Sequence, residues 1–273
     1  MNGVIETVGL IGAGRMGTPI IGHLARKGFK VLVHDADPSK RSLAEGRGAA
    51  WAADCSAFAA ADALLICVGY DSEVRALTTD AQGLFTHARP GTIITVLSTI
   101  NPRTVRELAA AGEAHGIHLI DSTVCRGGWA ADEGTLLSFV GGSADIVERM
   151  RPVLAAYSSD IVHTGPIGTA QVAKAANNLI LWACLVANHE ALALAQSSGV
   201  DVEALRKALM ISSATNGALE NWGKQTMAWA EDDMAIVAEM ATDCGLGLPL
   251  SGVVREICRP LKPRRYKLDE YGR

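Results

Sequence analysis

The chain of 273 residues is short of most features that would declare a partner or a compartment. It has no basic excess: the net charge is -4, and without a broad positive field neither nucleic acid nor an anionic membrane is an expected partner, which leaves a small molecule. Its longest apolar run, Leu179 to Ala187, meets Asn188, His189 and Glu190 far short of the roughly 18 residues a bilayer span requires. The opening MNGVIET has no basic segment ahead of an apolar one and enters a strand-like run directly, so a cytoplasmic location is expected. The six cysteines (Cys55, Cys67, Cys125, Cys184, Cys244, Cys258) include no CxxC pair and mostly lie in apolar surroundings, signalling neither disulfides nor zinc. His115 and His118 stand close together without a supporting cluster of cysteines or carboxylates, so no metal is expected.

Aromatic residues are scarce at 5%, yet the hydrophobic share is 49%, carried by Ala, Val, Ile and Leu, which excludes a disordered chain. At about 100 to 200 residues per domain the length favours two cores. Over the first 160 or so residues, short β-branched runs (ETVGLIG, FKVLVHD, ALLICVG, GTIITVLS, IHLID) alternate with helical stretches, the rhythm of a parallel α/β sheet. Asn101-Pro102 reads as a helix cap followed by proline at the first helical position, with Gly116 as the stop. Further strands are expected over 135–140 and 160–163, with a helix over 144–155 between them. After His163 the pattern is helical, with breaks near Gly199, 212–216, Asp232, 245–249 and Pro260. The expected architecture is a Rossmann-type α/β domain over 1–162 and an all-α domain over 163–273. A helix from about Ala170 to Ser198, roughly 40 Å long at 1.5 Å per residue, joins them. Within it LILWACLVA is apolar on every face and must be enclosed, which makes a homo-oligomer, dimer or tetramer, the expected assembly. The basic, proline-broken end RPLKPRRYKLDEYGR reads as a partner-wrapping or fraying tail.

The most informative segment is TVGLIG running into Gly12-Ala13-Gly14-Arg15-Met16-Gly17 and then a helix, a GxGxxG in the strand-turn-helix setting that gives the motif meaning. Gly12 permits the tight turn, Gly14 lets the backbone approach a pyrophosphate, and Gly17 packs the helix on the strand while its N-terminus faces the anion. Asp35 follows 23 residues after Gly12, where a carboxylate accepts hydrogen bonds from ribose hydroxyls and repels a 2′-phosphate. NAD is therefore expected ahead of NADP, although Lys40 and Arg41 stand near enough to receive such a phosphate. Asp37 and Ser39 have a plainer use as helix caps.

In GPIGTAQVAKAANN, a turn from Gly165 to Gly168 precedes a helix on which Lys174, Asn177 and Asn178 share a face. A lysine there is either a solvated side chain or, beside a nicotinamide, a group that exchanges a proton with a substrate oxygen.

With GLIGAGRMG, VLSTINP and DSTVCRGGWAADEGTL occurring in order before GPIGTAQVAKAANN, the chain resembles the β-hydroxyacid dehydrogenase family over nearly its whole length. That family includes 3-hydroxyisobutyrate dehydrogenase and tartronate semialdehyde reductase and, more broadly, is 6-phosphogluconate dehydrogenase-like. The resemblance implies that Lys174 is the general acid/base, that Asn178 helps hold it and the substrate, and that Val68, Ser98 and Thr99 lie on the nicotinamide side. It also implies a substrate loop at DSTVCRGG, usually Asp-Ala-Pro-Val-Ser-Gly-Gly.

Here the chain departs from the family: Thr123 replaces the proline, Cys125 the serine and Arg126 a glycine, while Gly127 still allows a backbone N–H to approach an anion. Cys125 has no identifiable partner base and reads as a weakly hydrogen-bonding wall residue rather than a nucleophile. Asp232, or Glu231 in a register shifted by one, falls where the family has a lysine that approaches cofactor and substrate, so either way a positive charge is missing. Arg126 either supplies the anion contact in its place, using the fork geometry of guanidinium, or points to solvent or the cofactor phosphates. Cys125, Arg126, Gly127, Asn177 and Asp232 form the expected substrate side, and Trp129 reads as a core residue or a pocket wall. The expected activity is reversible hydride transfer between a nicotinamide cofactor and a small β-hydroxyacid or related alcohol. Its rivals are an imine reductase and a non-catalytic dinucleotide-binding regulator.

Overall fold

The computed structural model describes residues 4–224, 227–261 and 268. The chain forms two compact units, residues 1–174 and 175–273.

The first unit is built on β1 (Thr7–Ile11), α1 (Gly17–Arg26), β2 (Lys30–His34), α2 (Arg41–Glu45), β3 (Ala50–Trp51), β4 (Ala63–Ile66), α3 (Asp71–Thr79), α4 (Leu84–His87), β5 (Ile93–Val96), α5 (Pro102–Glu113), β6 (His118–Cys125), α6 (Gly127–Glu133), β7 (Leu136–Gly141), α7 (Ala144–Leu154) and β8 (Ser158–Gly165). The eight strands form one sheet in the order β3-β2-β1-β4-β5-β6-β7-β8. β4 and β5, ALLI and IITV, are buried at every position, as strands covered on both faces must be. Alternate side chains build two cores: Leu10, Leu65, Ile93 and Ile120 on one face, Leu64, Ile66, Ile94 and Val96 on the other. The chain order reverses between β1 and β4, and such a switch point opens a crevice at the carboxyl ends of the strands.

Strands β1 to β6 are parallel, as the alternating pattern implies, but β7 runs antiparallel to β6. Only residues 126–135 separate the two, and a parallel return needs a crossover of a dozen or more residues. Gly134, left-handed at φ 74, closes α6 and turns the chain back. Asn101 caps α5 as expected, its side chain accepting the Arg103 N–H, with Pro102 at the first helical position.

α8 (Thr169–Ser197) begins in the first unit and continues into the second. The boundary between the compact units follows Lys174, where β6 holds the first turns of α8, and residue 162 lies within β8. The second unit adds α9 (Val202–Leu209), α10 (Gly217–Glu220), α11 (Ala230–Asp243) and α12 (Pro249–Leu261) around a core of Trp182, Leu185, Met227, Met234, Val254 and Cys258. α8 is long and apolar enough on average to cross a membrane, but Asn177, Asn178, Asn188, His189 and Glu190 along it would be costly in hydrocarbon. The break expected near Asp232 falls just ahead of it: α11 begins at Ala230, and Glu231, Asp232 and Asp233 occupy its first turn, where acidic side chains complement the helix dipole. Of the C-terminal stretch RPLKPRRYKLDEYGR, residues 262–267 and 269–273 lie outside the described residues.

Candidate active site

The glycine loop leaves β1 at Gly12, whose φ of 101° suits glycine; a Cβ there would lie 2.2 Å from the Cys67 carbonyl oxygen. At Gly17 a Cβ would lie 1.9 Å from the Gly12 carbonyl oxygen, so both glycines are demanded by the fold. Gly14 is exposed, and a Cβ built on it meets nothing within 4 Å. The protein therefore leaves the space over Gly14 clear, beside the start of α1, whose first N–H groups have no intrahelical acceptors.

The carboxylate of Asp35, half-buried just beyond β2, accepts the Ala13 N–H at 2.6 Å and the Asp37 N–H at 2.8 Å, which fixes the loop against β2. Asp37 in turn caps the following turn through the Ser39 N–H. Arg15 is exposed and paired with Asp132 of α6 at 2.9 and 2.5 Å, while Met16 is half-buried at the start of α1. Ser98, beyond β5, accepts the Val68 N–H on its hydroxyl at 2.9 Å, with half-buried Thr99 next to it. This open glycine turn, with an acid at the end of the second strand, fits a dinucleotide.

The second cluster joins β6 to the start of α8. Asp121 is fully buried and accepts the Gly168 N–H at 2.7 Å on one oxygen and the Gln171 N–H at 3.0 Å on the other. Burial pushes its carboxyl up to about 6 against the opposing pull of those N–H donors. The Thr123 hydroxyl donates to the Ala170 carbonyl at 2.9 Å. One turn later Lys174 donates from Nζ to the Val124 carbonyl at 2.7 Å and stands 3.9 Å from Cys125 Sγ. Further along α8, Asn177 donates to the side-chain oxygen of buried Asn178 at 3.0 Å.

In the substrate loop, Arg126 and Trp129 take these positions. Arg126 is the non-glycine residue with positive φ, 83°, among those described, and Gly127 follows at 75°. One guanidinium nitrogen of Arg126 donates to the Thr135 carbonyl at 3.0 Å, the Ser159 hydroxyl at 2.9 Å and the Asp160 carboxylate at 2.7 Å, which draws the side chain toward the start of β8. Trp129 is 44% exposed and is not a core residue. In the second unit, Asp232 lies in the first turn of α11, between Glu231, paired with Arg259, and Asp233, which accepts the Trp182 indole N–H at 2.8 Å.

Comparison with known proteins places these features. Residues 7–165 match the NAD binding domain of 6-phosphogluconate dehydrogenase, and residues 168–269 match the NAD-binding domain family of NADP-dependent 3-hydroxyisobutyrate dehydrogenase. The chain belongs to the 3-hydroxyisobutyrate dehydrogenase family. A Pseudomonas aeruginosa NAD-dependent L-serine dehydrogenase is 34% identical to this chain over 218 residues, 79% of this chain and 73% of that protein. A 3-hydroxyisobutyrate dehydrogenase of the same organism is 34% identical over 78% of this chain and 72% of its own length. The solved structure of Mycobacterium tuberculosis 3-hydroxyisobutyrate dehydrogenase with L-serine superposes with a TM-score of 0.87 at 26% identity, covering 98% of each chain. Imine reductases from Myxococcus stipitatus and Streptomyces aurantiacus superpose at 20% identity or less, a likeness of fold alone.

As a member of the 3-hydroxyisobutyrate dehydrogenase family the chain is an NAD(P)-dependent oxidoreductase acting on CH–OH groups. Sequence reasoning passed over two members of its site, Asp121 and Gln171. A signal for the first was present, since an aspartate inside the apolar run IHLIDSTV requires buried partners. Gln171 carried none: glutamine is an ordinary helix residue, and its targets are backbone groups some 70 positions earlier.

Proposed function

We propose that the chain is a cytoplasmic, NAD-preferring dehydrogenase that interconverts a small β-hydroxyacid and its carbonyl form, with Lys174 as general acid/base. The observation that carries this reading is the Lys174 amine, held 2.7 Å from the Val124 carbonyl and beside Cys125 where β6 ends. The loop from Gly12 to Gly17, the start of α1, Asp35, Val68, Ser98 and Thr99 would hold the dinucleotide. Bound there, the dinucleotide would supply the hydride acceptor and donor. Asp35 favours NAD, because its carboxylate would repel a 2′-phosphate.

In the oxidation direction neutral Lys174 takes the proton of the substrate hydroxyl as the hydride leaves carbon; in reduction its ammonium form returns that proton. Asn178, and Asn177 beside it, orient the amine and the substrate oxygen. Cys125 and the backbone N–H of Gly127 would face the substrate carboxylate, with the Arg126 side chain bound elsewhere. The names of the relatives make L-serine and 3-hydroxyisobutyrate the first candidates. Exposed Ile180 and Leu194 on α8, with Leu250 and Val253 on α12, supply apolar surface that a second copy of the chain would cover.

The test is reduction of NAD+ and NADP+ by purified protein with L-serine, 3-hydroxyisobutyrate and other small β-hydroxyacids. Saturable turnover that prefers NAD+ supports the reading. Tight NADH binding without turnover of any such acid overturns the substrate class, and preference for NADP+ overturns the role given to Asp35.

A further inference from the structure

We propose that Gln171 is a positioning residue of the hydride-transfer site: its amide clamps the turn carrying Ser98 and Thr99 to the helical turn that carries Lys174. The inference rests on the assignment of Lys174 as general acid/base and adds how that amine keeps its place.

Gln171 is 1% exposed and makes three bonds that run in different directions. Its side-chain oxygen accepts the Ile100 N–H at 3.0 Å, and its side-chain nitrogen donates to the Ser98 carbonyl at 2.8 Å. Its own backbone N–H donates to Asp121 at 3.0 Å. The planar amide thus bridges two backbone groups of one turn, an acceptor and a donor held a fixed distance apart. The same Ser98 accepts the Val68 N–H on its hydroxyl. A continuous chain of hydrogen bonds therefore links Val68, Ser98, Gln171 and Asp121 across the ends of β4 and β5 to β6.

Lys174 follows Gln171 by three residues, about 4.5 Å along the helix axis, and its amine meets the Val124 carbonyl three positions after Asp121 on β6. β6 anchors the start of α8 through Asp121, Thr123 and Val124, and Thr164 of β8 meets Thr169. What these bonds do not fix is the distance from Lys174 to the Ser98 turn, and among the described residues the Gln171 side chain ties that turn to α8. Hydride and proton move together only if the two turns keep their spacing, and a displacement of about 1 Å costs on the order of 10²-fold in rate.

The test compares wild type with Gln171→Met, similar in length but unable to make either side-chain bond, and with Gln171→Glu. Unfolding temperature, NADH dissociation constant, KM, kcat, its pH profile and the deuterium isotope effect from labelled substrate are recorded for each. For folded Gln171→Met the expected result is a kcat lower by roughly 10- to 100-fold, a larger isotope effect on kcat, and NADH affinity within about twofold of wild type. In Gln171→Glu the protonated carboxyl can accept from Ile100 and donate to Ser98 as the amide does, so its kcat should rise toward wild type as pH falls, a limb that wild type lacks. A Gln171→Met kcat equal to wild type overturns the proposal, as does a loss confined to folding or NADH binding with no acid rescue in Gln171→Glu. Lys174→Ala, assayed alongside, separates the two claims. If it is inactive while Gln171→Met is normal, only the clamp fails; if it retains turnover, the clamp falls with the assignment beneath it.

Discussion

The Lys174 amine donates to the Val124 carbonyl oxygen at 2.7 Å, and the next side chain on that strand, Cys125, presents its sulfur 3.9 Å away. A side chain on α8 is thereby pinned to the end of β6, where the substrate loop begins. The thiol is a weak donor in the place where the family usually has serine. Cys125→Ser should therefore strengthen the contact to an acidic substrate and lower KM roughly fivefold, the equivalent of about 1 kcal/mol, with NADH affinity unchanged. A higher KM in steady-state assays would mean that this enzyme's substrate prefers sulfur.

The three loop glycines should separate by mechanism. Gly12→Ala and Gly17→Ala force a Cβ onto backbone oxygens at 2.2 and 1.9 Å and should cost on the order of 3 kcal/mol or more in urea unfolding. Gly14→Ala meets nothing in the protein and should keep stability within roughly 1 kcal/mol, yet weaken NADH binding about tenfold or more, because its methyl enters the space meant for the pyrophosphate. Undiminished NADH binding by folded Gly14→Ala would remove the cofactor from this loop.

Asp121 supplies a pH signature. Its carboxyl stands near 6 in the folded chain against 3.8 for the ordinary group. Between about pH 4 and 6 the folded chain therefore holds a proton that the unfolded chain has released, and this group's contribution falls as pH rises through 6, by up to about 3 kcal/mol. The difference in stability between wild type and Asp121→Asn, which stays neutral throughout, should move in that direction over the window. A difference that moves the opposite way would show that the Gly168 and Gln171 N–H donors outweigh burial.

Arg126 bonds Ser159 and Asp160 at the start of β8. Arg126→Gly suits the left-handed backbone at φ 83° but gives up the partly exposed contacts to Ser159 and Asp160, so stability should change by no more than about 1 kcal/mol. KM for a hydroxyacid should stay within about twofold; a large rise would mean that the guanidinium leaves Asp160 for the substrate.

The α/β order, the glycine loop, the Asn101 cap and the start of α8 were legible because each rests on a local rule: alternation, turn chemistry or a capping side chain. What escaped was set by distant partners. β7 reverses because the link from β6 is short, a matter of sheet geometry that residue type does not announce. Arg126 was read from the family position it replaces, and its target, Asp160, lies 34 residues away. The break read at Asp232 falls just ahead of it, at the start of α11. Gln171 is the extreme case, a common helix residue whose importance lies wholly in the backbone groups it reaches.

The central claim is tested most directly by Lys174→Ala, with NADH affinity and turnover of the best β-hydroxyacid measured on the same preparation. The account predicts NADH binding within about twofold of wild type and a kcat lower by roughly 10² to 10⁴. Turnover close to wild type in that variant would contradict it.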